Sequence, residues 1–244
     1  MKPKDQALDV WGNLACFTRP EMKVERFSYP VITPSAARGI YDAIYCKPKE
    51  FRWQITKIEI FKPPSYIALR RNEVKEKISQ KAVLRYMGGE APKPIFADAT
   101  DDSKGRTQRQ TMALKNVAYR LHAKVHPWPG FENRLQGLEN QFRRRASHGK
   151  CIYQPFLGCR EFPAWFDLVE PDAPPVEPIA VDMDNLGWVL YDVFDLSRPF
   201  DPATWKENNF NLAISLFQPI VTAGVMAIPD FASDKVAKGI RRER

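Results

Sequence analysis

The sequence predicts an α+β fold in two parts, an alternating strand and helix domain followed by a small antiparallel β unit. Segments with alternating apolar residues are typical of half-buried strands. Two other segments repeat their apolar residues every three or four positions, which is typical of helices. A proline-rich stretch separates the two parts and predicts a linker.

The first third of the chain predicts a strand, a helix and a second strand. Residues 8–17 alternate between apolar and polar side chains, as a half-buried strand does. Thr33 is a suitable N-cap for a helix over residues 34–45, since proline is favoured at the first helical position. Residues 51–61 are rich in β-branched and aromatic side chains, and a change of apolar parity predicts a bulge at 56–57.

The middle of the chain predicts an irregular segment and then another strand, helix and strand. Residues 70–105 are charged and interrupted by proline and glycine, so we expect an excursion with at most a short helix over 73–79. Residues 116–125 predict a strand, residues 132–146 a helix, and residues 156–166 an extended segment. The resulting order, β-α-β-β-α-β, is that of a ferredoxin-like fold.

The last third predicts a small antiparallel β domain. Residues 170–178 are proline-rich, and 186–193 and 221–228 predict strands beyond this linker. The final ten residues are basic and form a C-terminal tail. We therefore expect a first domain over residues 1–168 and a second over residues 169–244.

Composition limits the class of protein. The chain has 244 residues, of which 44% are hydrophobic, and no stretch reaches the roughly 20 apolar residues that span a bilayer. The N-terminus is charged and has no apolar signal segment, so we expect a cytoplasmic protein with no membrane partner. Four cysteines and three histidines follow no metal-binding spacing, and no nucleotide-binding or zinc-protease motif occurs. We therefore expect neither a metal site nor a cofactor.

Charge indicates a polyanionic partner. Lys and Arg number 37 against 29 Asp and Glu, a net charge of +8, which favours nucleic acid, although a solvated basic surface has the same composition. Three consecutive arginines end the helix at 132–146, more than its dipole requires, so we expect an anion beside them. The candidate phosphate contacts are Arg38, Arg70, Arg71, Arg106, Arg109, Arg143, Arg144, Arg145 and Arg160.

Aromatic and histidine side chains supply further candidates for RNA contact. A helical projection of residues 34–45 separates Arg38, Tyr41 and Tyr45 from the apolar stripe, which suits base stacking and phosphate binding. The alternative is that both tyrosines pack beneath a loop. His122 falls on the polar side of the strand at 116–125, where it could carry a proton, contact RNA, or do neither.

Three segments resemble one protein family. They are VWGNLACFTRPEMKVER at 10–26, TPSAARGI at 33–40 and LGCREF at 157–162, and they resemble the subtype I-C CRISPR-associated proteins of the Cas5 family. The resemblance implies an RNA-recognition-motif-like first domain and a small β-rich second domain. It also implies metal-independent cleavage of CRISPR repeat RNA, retention of the crRNA, and assembly with other subunits of a surveillance complex.

The same resemblance implies the catalytic residues. The family's catalytic tyrosine falls on Tyr45, and its Lys-His pair falls on Lys115 and Asn116, so asparagine stands where the family has histidine. Lys115 could stabilise the phosphorane and Tyr45 could orient the 2′-hydroxyl or donate a proton, giving a 2′,3′-cyclic phosphate. Asn116 favours an alternative, a non-catalytic scaffold that holds the 5′ handle of crRNA. Double-stranded DNA binding is compatible with either reading because it follows from charge.

Overall fold

The computed structural model describes residues 2–74, 79–91, 105–199 and 212–239. Its fold is a mixed α/β structure dominated by antiparallel sheet, which is the predicted class. The elements up to residue 169 are β1 (Gln6–Ala15), β2 (Arg26–Phe27), α1 (Pro34–Ile44), β3 (Phe51–Ile60), β4 (Tyr66–Val74), α2 (Gln80–Met87), β5 (Arg106–Pro127), a 3-10 turn (Glu132–Arg134), α3 (Leu135–Ala146) and β6 (Trp165–Val169). The elements after it are β7 (Val189–Phe194), β8 (Leu212–Phe217), β9 (Val221–Thr222), β10 (Val225–Ala227) and β11 (Val236–Lys238).

The long strand β5 organises the main sheet. Its second half pairs antiparallel with β1 on one side and β3 on the other, and its first half pairs with β4 and β2. The spatial order of the sheet is β6-β1-β5-β3-β10-β9. One strand therefore connects the packed body of the protein to a two-stranded ribbon formed by β4 and the start of β5.

The predicted local features of the first third are confirmed. The Thr33 side chain accepts a hydrogen bond from the backbone N–H of Ala36 at 3.2 Å, so it is the N-cap of α1. The register between β3 and β5 shifts between Ile55 and Lys57, which is the predicted bulge.

Helices α1 and α3 pack on the same face of the main sheet. The ring of Trp53 on β3 lies 4.9 Å from that of Tyr41 on α1 and 4.6 Å from that of Phe142 on α3, measured between centroids. All three side chains are buried. Burying side chains of this size supplies much of the apolar area that stabilises the core.

The segment at 70–105 differs from the prediction. Instead of an irregular excursion, it begins with β4, whose residues pair one by one with those of β5 from Leu114 to Arg106. The short helix lies at Gln80–Met87, and of the predicted helix 73–79, residues 75–78 lie outside the described residues. The sequence does not predict this strand, because its residues alternate only between exposed and half-buried and therefore show little apolar periodicity.

The strands after residue 169 divide between two sheets. Strands β7, β8 and β11 form a three-stranded antiparallel sheet, and β10 pairs with β3 at the edge of the main sheet. Residues 221–228 therefore extend the main sheet, whereas the sequence predicts them in the small unit. The buried side chain of Met226, opposite Ile58, accounts for this pairing. The division of the chain at residue 168 stays a prediction. None of the described helices has the length and apolar character to cross a bilayer.

Candidate nucleic-acid interface

Tyr45 lies at the end of α1, on the wall of a surface cleft. Its ring packs on Phe51 with centroids 5.5 Å apart, and 8% of the residue is exposed. The cleft has a volume of about 390 Å³ and is also lined by Lys47, Arg134 and Gln141. The Tyr45 hydroxyl makes no hydrogen bond to any residue that the structure describes. The phenol is thus available to a ligand that enters the cleft.

The two cations of this cleft share one carboxylate. Lys47 Nζ lies 3.0 Å from Glu50 Oε1, and Arg134 Nη1 lies 3.1 Å from Glu50 Oε2. Both cationic side chains remain partly exposed. A phosphate in the cleft could therefore be bound by both cations, although it would compete with Glu50 for them.

Lys115 and Asn116 lie together at a different part of the sheet. Lys115 is exposed, sits opposite Leu14, and donates its backbone N–H to the carbonyl of Ser65 at 2.9 Å. Asn116 is also exposed, and its φ of 53° is in the left-handed region, which Asn tolerates better than most residues. The strand therefore bends at this point, between the half of β5 in the ribbon and the half in the body.

The structure does not bring Tyr45 together with Lys115 and Asn116. Tyr45 packs on Phe51, which is opposite Pro127 at the far end of β5. Lys115 lies twelve residues earlier on the same strand, which corresponds to roughly 40 Å at about 3.3 Å per residue. A single phosphate cannot contact both places.

The predicted RNA contacts on α1 are engaged within the protein. Tyr41 is fully buried, and its hydroxyl lies 2.8 Å from the carbonyl oxygens of both Gln6 and Leu121. Burial raises the pKa of this phenol well above its usual value. Tyr41 is therefore a core residue, and the prediction that it stacks on RNA is wrong. A projection of one helix missed this because α1 is covered on two sides, by the main sheet and by β7.

Arg38, the other predicted contact on α1, is also engaged. It donates two hydrogen bonds to Asp192 and one to Asp42. Both carboxylates are within the protein and leave this guanidinium little capacity to bind a phosphate. Arg38 therefore joins elements of the fold, contrary to the prediction.

The ribbon separates its arginines onto two faces. Arg71 pairs with Glu161 and stacks on Phe162, and Arg109 lies 3.1 Å from Glu73. Directly opposite residues of antiparallel strands share a face, so Arg70 and Arg106 lie on the other face. That face also carries the exposed amides Asn72, Gln108 and Gln110, and no acidic residue of β4 or of residues 106–114 belongs to it.

The three consecutive arginines of α3 point to different partners. Arg143 pairs with Glu170, and Arg145 donates to the carbonyl of Ile44 at 2.6 Å, which completes the C-terminus of α1. Arg144 is exposed and bonds only to Gln141, at 3.3 Å. Of the three, Arg144 is the one whose charge is not engaged by a described carboxylate or helix end. The predicted anion-binding cluster is therefore reduced to one side chain.

His122 and Arg160 differ in their surroundings. His122 is buried, with Nδ1 at 2.5 Å from Asp5 and Nε2 at 3.6 Å from Glu59. Asp5 holds one nitrogen of this imidazole, whereas Nε2 has no hydrogen-bond partner among the described residues, and an RNA contact for His122 stays a prediction. Arg160 is exposed and remains a candidate. Within the described ranges, no three His, Cys, Asp or Glu side chains lie close enough to hold a metal ion.

Two cations of the Tyr45 cleft are not indicated by the sequence. Lys47 and Arg134 line the Tyr45 cleft from separate segments, and nothing in their spacing indicates that they meet.

Gly158, in the segment LGCREF, has a φ of 83°, and a Cβ there would overlap the carbonyl oxygen of Cys16. This glycine therefore lets the 157–162 loop close onto the end of β1, where Cys16 donates to Leu157 at 3.0 Å.

Comparison with known proteins identifies the family. Residues 7–241 match the Cas_Cas5d family, described as "CRISPR-associated protein (Cas_Cas5)". The chain is 39% identical over 236 residues to a protein of Mannheimia succiniciproducens named CRISPR pre-crRNA endoribonuclease Cas5d, covering 95% of this chain and 97% of that one. It is 38% identical over 193 residues to the protein of the same name from Thermus thermophilus, covering 79% and 75% of the two chains.

A solved structure supports the same fold. The structure titled "Crystal Structure of CRISPR-associated Protein" matches with a TM-score of 0.61 and 19% identity, covering 97% of this chain and 98% of that chain. At this identity the likeness concerns the fold alone. The match over almost the whole chain and the two relatives near 40% identity show that the chain belongs to the Cas5d family of CRISPR-associated proteins.

Proposed function

We propose that this protein is an endoribonuclease that cleaves pre-crRNA, the activity for which its two relatives are named. The observation that carries the proposal is the 39% identity with one of them over 95% of this chain. The ribbon face with Arg70, Arg106 and three amides supplies an independent argument. Single-stranded RNA needs a groove or strand face with cations along its backbone and hydrogen-bonding groups for its bases, and this face has both.

The ferredoxin-like description of the first domain belongs to the same proposal. The strand order β6-β1-β5-β3, with α1 and α3 on one face, supports it. In such a fold the two helices cover one face of the sheet and leave the other accessible. The proposal keeps the division between residues 168 and 169, with β9 and β10 returning to the edge of the first domain.

Cleavage without a metal ion can be derived from the chemistry of the Tyr45 cleft. The 2′-oxygen attacks the adjacent phosphorus, the bond from phosphorus to the 5′-oxygen breaks, and the products are a 2′,3′-cyclic phosphate and a 5′-hydroxyl. Lys47 and Arg134 would stabilise the charge of the phosphorane, and the Tyr45 hydroxyl would orient the 2′-hydroxyl or protonate the leaving oxygen. One proton leaves the 2′-hydroxyl and one reaches the 5′-oxygen, so the step is balanced.

Lys115 and Asn116 are a second candidate location for the reaction. Both side chains are exposed, and the left-handed conformation of Asn116 is a strained feature of the kind that is concentrated at functional sites. An ammonium and an amide can bind a phosphate and a 2′-hydroxyl, and the Asn116 amide can neither accept nor release a proton near neutrality. Tyr45 and its cleft are favoured because Lys47 and Arg134 lie there beside the phenol, and Lys115 and Asn116 would bind RNA away from the cleaved bond.

The partners follow from the family. We propose that the product crRNA stays bound and that other subunits of a surveillance complex assemble on it. The alternative, a scaffold that only holds the 5′ handle of crRNA cut by another enzyme, keeps the same RNA contacts without the chemistry. Duplex DNA binding would follow from the net charge of +8 and would require no additional site.

Single-turnover cleavage of the cognate repeat RNA in EDTA tests the proposal. We expect the wild-type protein to cut, and the upstream product to end in a 2′,3′-cyclic phosphate. Tyr45→Phe removes only a hydroxyl and should slow cleavage by about 100-fold or more, within the usual range for acid-base catalysis, while RNA affinity is retained. Lys115→Ala, made in parallel, should cut within a few-fold of the wild-type rate. No cleavage by the wild-type protein, together with tight RNA binding, would support the scaffold.

A further inference from the structure

Two tryptophans form an exposed pair on the sheet. Trp11 on β1 and Trp165 on β6 are directly opposite each other in the antiparallel register, and they are 39% and 51% exposed. Their neighbour on β1, Val10, is buried toward the helices, so the two indoles lie on the opposite face of the sheet. Side chains in such cross-strand pairs have their Cβ atoms about 5 Å apart. The two indoles are therefore neighbours on this face, and the pair is called here the Trp11–Trp165 platform.

Sheet stability alone does not explain this platform. Aromatic residues at directly opposite positions can strengthen the pairing of two antiparallel strands, here β6 with β1. Side chains that expose much less aromatic surface can strengthen the pairing of two strands equally well. Trp53 and Tyr119, two other large aromatic side chains of the sheet, are buried. An adjacent pair of indoles open to solvent is more typical of a surface that binds a ligand.

A cleft with both apolar and polar lining residues lies beside the platform. It has a volume of about 400 Å³, and its lining includes Trp11, Asp9, Lys62, Asn116 and Asp167. The Asp9 carboxylate accepts two hydrogen bonds from Arg120, at 2.7 and 2.9 Å, and is therefore engaged. Asp167 and Lys62 have no hydrogen-bond or ion-pair partner among the residues the structure describes. The cleft thus offers one carboxylate and one amine to a ligand.

We propose that the Trp11–Trp165 platform binds an unpaired base of the RNA by stacking and that Asp167 accepts hydrogen bonds from the base edge. This rests on the proposed function, since it takes RNA as the ligand. Guanine is the preferred base, because its N1–H and N2–H donors lie side by side and match the two oxygens of a carboxylate. Adenine and cytosine offer a single amino group, and uracil a single imino group.

The charges fix how the nucleotide lies. A carboxylate repels phosphate, so the RNA backbone lies away from Asp167, and Lys62 is the cleft residue that can neutralise a phosphate. The Asp167 carboxylate and the Asn116 amide in the lining favour a base over an apolar protein segment, which would leave these two groups without partners. Stacking on tryptophan tolerates any base, and the carboxylate adds selectivity.

The test measures the affinity of the full-length protein for a labelled oligouridine that carries one guanosine. We expect Trp11→Ala and Trp165→Ala each to weaken binding by about 5- to 100-fold, the range found for loss of one base-stacking side chain. Trp11→Phe and Trp165→Phe retain an aromatic ring and should lose much less. Trp188→Ala is the matched control, since Trp188 is 52% exposed and lies outside the platform.

A change in the RNA tests the carboxylate. Inosine lacks the N2 amino group of guanosine, so its substitution should weaken binding to the wild-type protein by about tenfold, the loss expected for one charge-assisted hydrogen bond. The same substitution should not weaken binding to Asp167→Asn. Equal affinities for guanosine and inosine in the wild-type protein would overturn the assignment of Asp167.

The outcomes separate this proposal from the proposed function. If the wild-type protein cleaves repeat RNA and the folded tryptophan variants bind it with unchanged affinity, the platform proposal fails and the endoribonuclease stands. Variants that keep RNA affinity but lose a subunit of the surveillance complex would show that the platform binds protein, which also overturns the proposal. A wild-type protein that binds no RNA would contradict both the platform proposal and the proposed function.

Discussion

Arg38 on α1 and Asp192 on β7 form a two-point ion pair, with Nε 2.7 Å from Oδ2 and Nη2 3.1 Å from Oδ1. Asp192 is buried, and Arg38 also pairs with Asp42 one helical turn along α1. Burial acts to lower the pKa of Arg38, but Asp192 and Asp42 outweigh it and the pKa is raised. This network joins the three-stranded sheet to the helix that ends at Tyr45, so the position of the Tyr45 cleft depends on a contact between distant parts of the chain.

Asp192→Asn is expected to lower the free energy of unfolding by about 3–5 kcal/mol, because it leaves the buried guanidinium with an incomplete set of partners. Asp172→Asn is the control, since Asp172 is exposed and makes no ion pair with any residue that the structure describes, and it should change stability by less than about 0.5 kcal/mol. Urea denaturation of both proteins measures the difference. A loss below about 1 kcal/mol for Asp192→Asn would show that this ion pair contributes little to the fold.

Much of the fold could be predicted from local sequence, and the site could not. The cap at Thr33 and the bulge between Ile55 and Lys57 are local features, and the structure confirms them. The roles of Tyr41 and Arg38 depend on Gln6, Leu121 and Asp192, which are distant in sequence. Periodicity reports which side of a helix is apolar, and it cannot report which other elements cover the remaining sides. The family resemblance implies that Tyr45 and Lys115 share a site, and in the structure Tyr45 lies near the end of β5 that is far from Lys115.

The two faces of the ribbon are expected to differ in their effect on RNA binding. Arg70→Gln should lower RNA affinity and reduce the slope of log affinity against log salt by about 0.7, the contribution of one phosphate contact in a single strand. Arg109→Gln is the matched control: it removes the same charge from the same ribbon, but from an ion pair with Glu73. Fluorescence anisotropy over a range of salt concentrations measures both slopes. Equal slopes for the two variants would contradict the assignment of RNA to the Arg70 face.

Gly158→Ala is expected to destabilise the protein by more than about 2 kcal/mol. The φ of 83° is unfavourable for alanine, and its Cβ would overlap the carbonyl of Cys16, which belongs to the backbone and cannot rotate away. Gly39→Ala in α1 is the control, because a Cβ there meets no atom within 4 Å and alanine is the better helix former. Thermal unfolding should therefore give a lower Tm for the first variant and an unchanged or higher Tm for the second. A Gly158→Ala protein as stable as the wild type would mean that the 157–162 loop can move away from β1.

Asn116→His tests the position at which the family resemblance implies a histidine. Histidine, like asparagine, is enriched in the left-handed region, so the variant should fold with a Tm close to that of the wild type despite the φ of 53°. Asn116→Val should be destabilised, since a β-branched residue is strained there, and Asn116→Gly should be stable and lack any side chain. These two variants separate the backbone requirement from the side-chain chemistry.

The same histidine variant reports whether this part of β5 takes part in cleavage. Its imidazole would titrate between about pH 6 and 7, and only a group close to the cleaved phosphate would transmit that titration to the rate. Because the Tyr45 cleft is roughly 40 Å of strand away, we expect the pH profile of single-turnover cleavage in EDTA, from about pH 5.5 to 9, to be the same for Asn116→His and the wild type. A change in cleavage rate near pH 6 to 7 that occurs in Asn116→His and not in Asn116→Gly would show that the catalytic site is at Lys115 and Asn116. In that case Tyr45→Phe should have little effect on the rate, which gives a second, independent measurement of the same question.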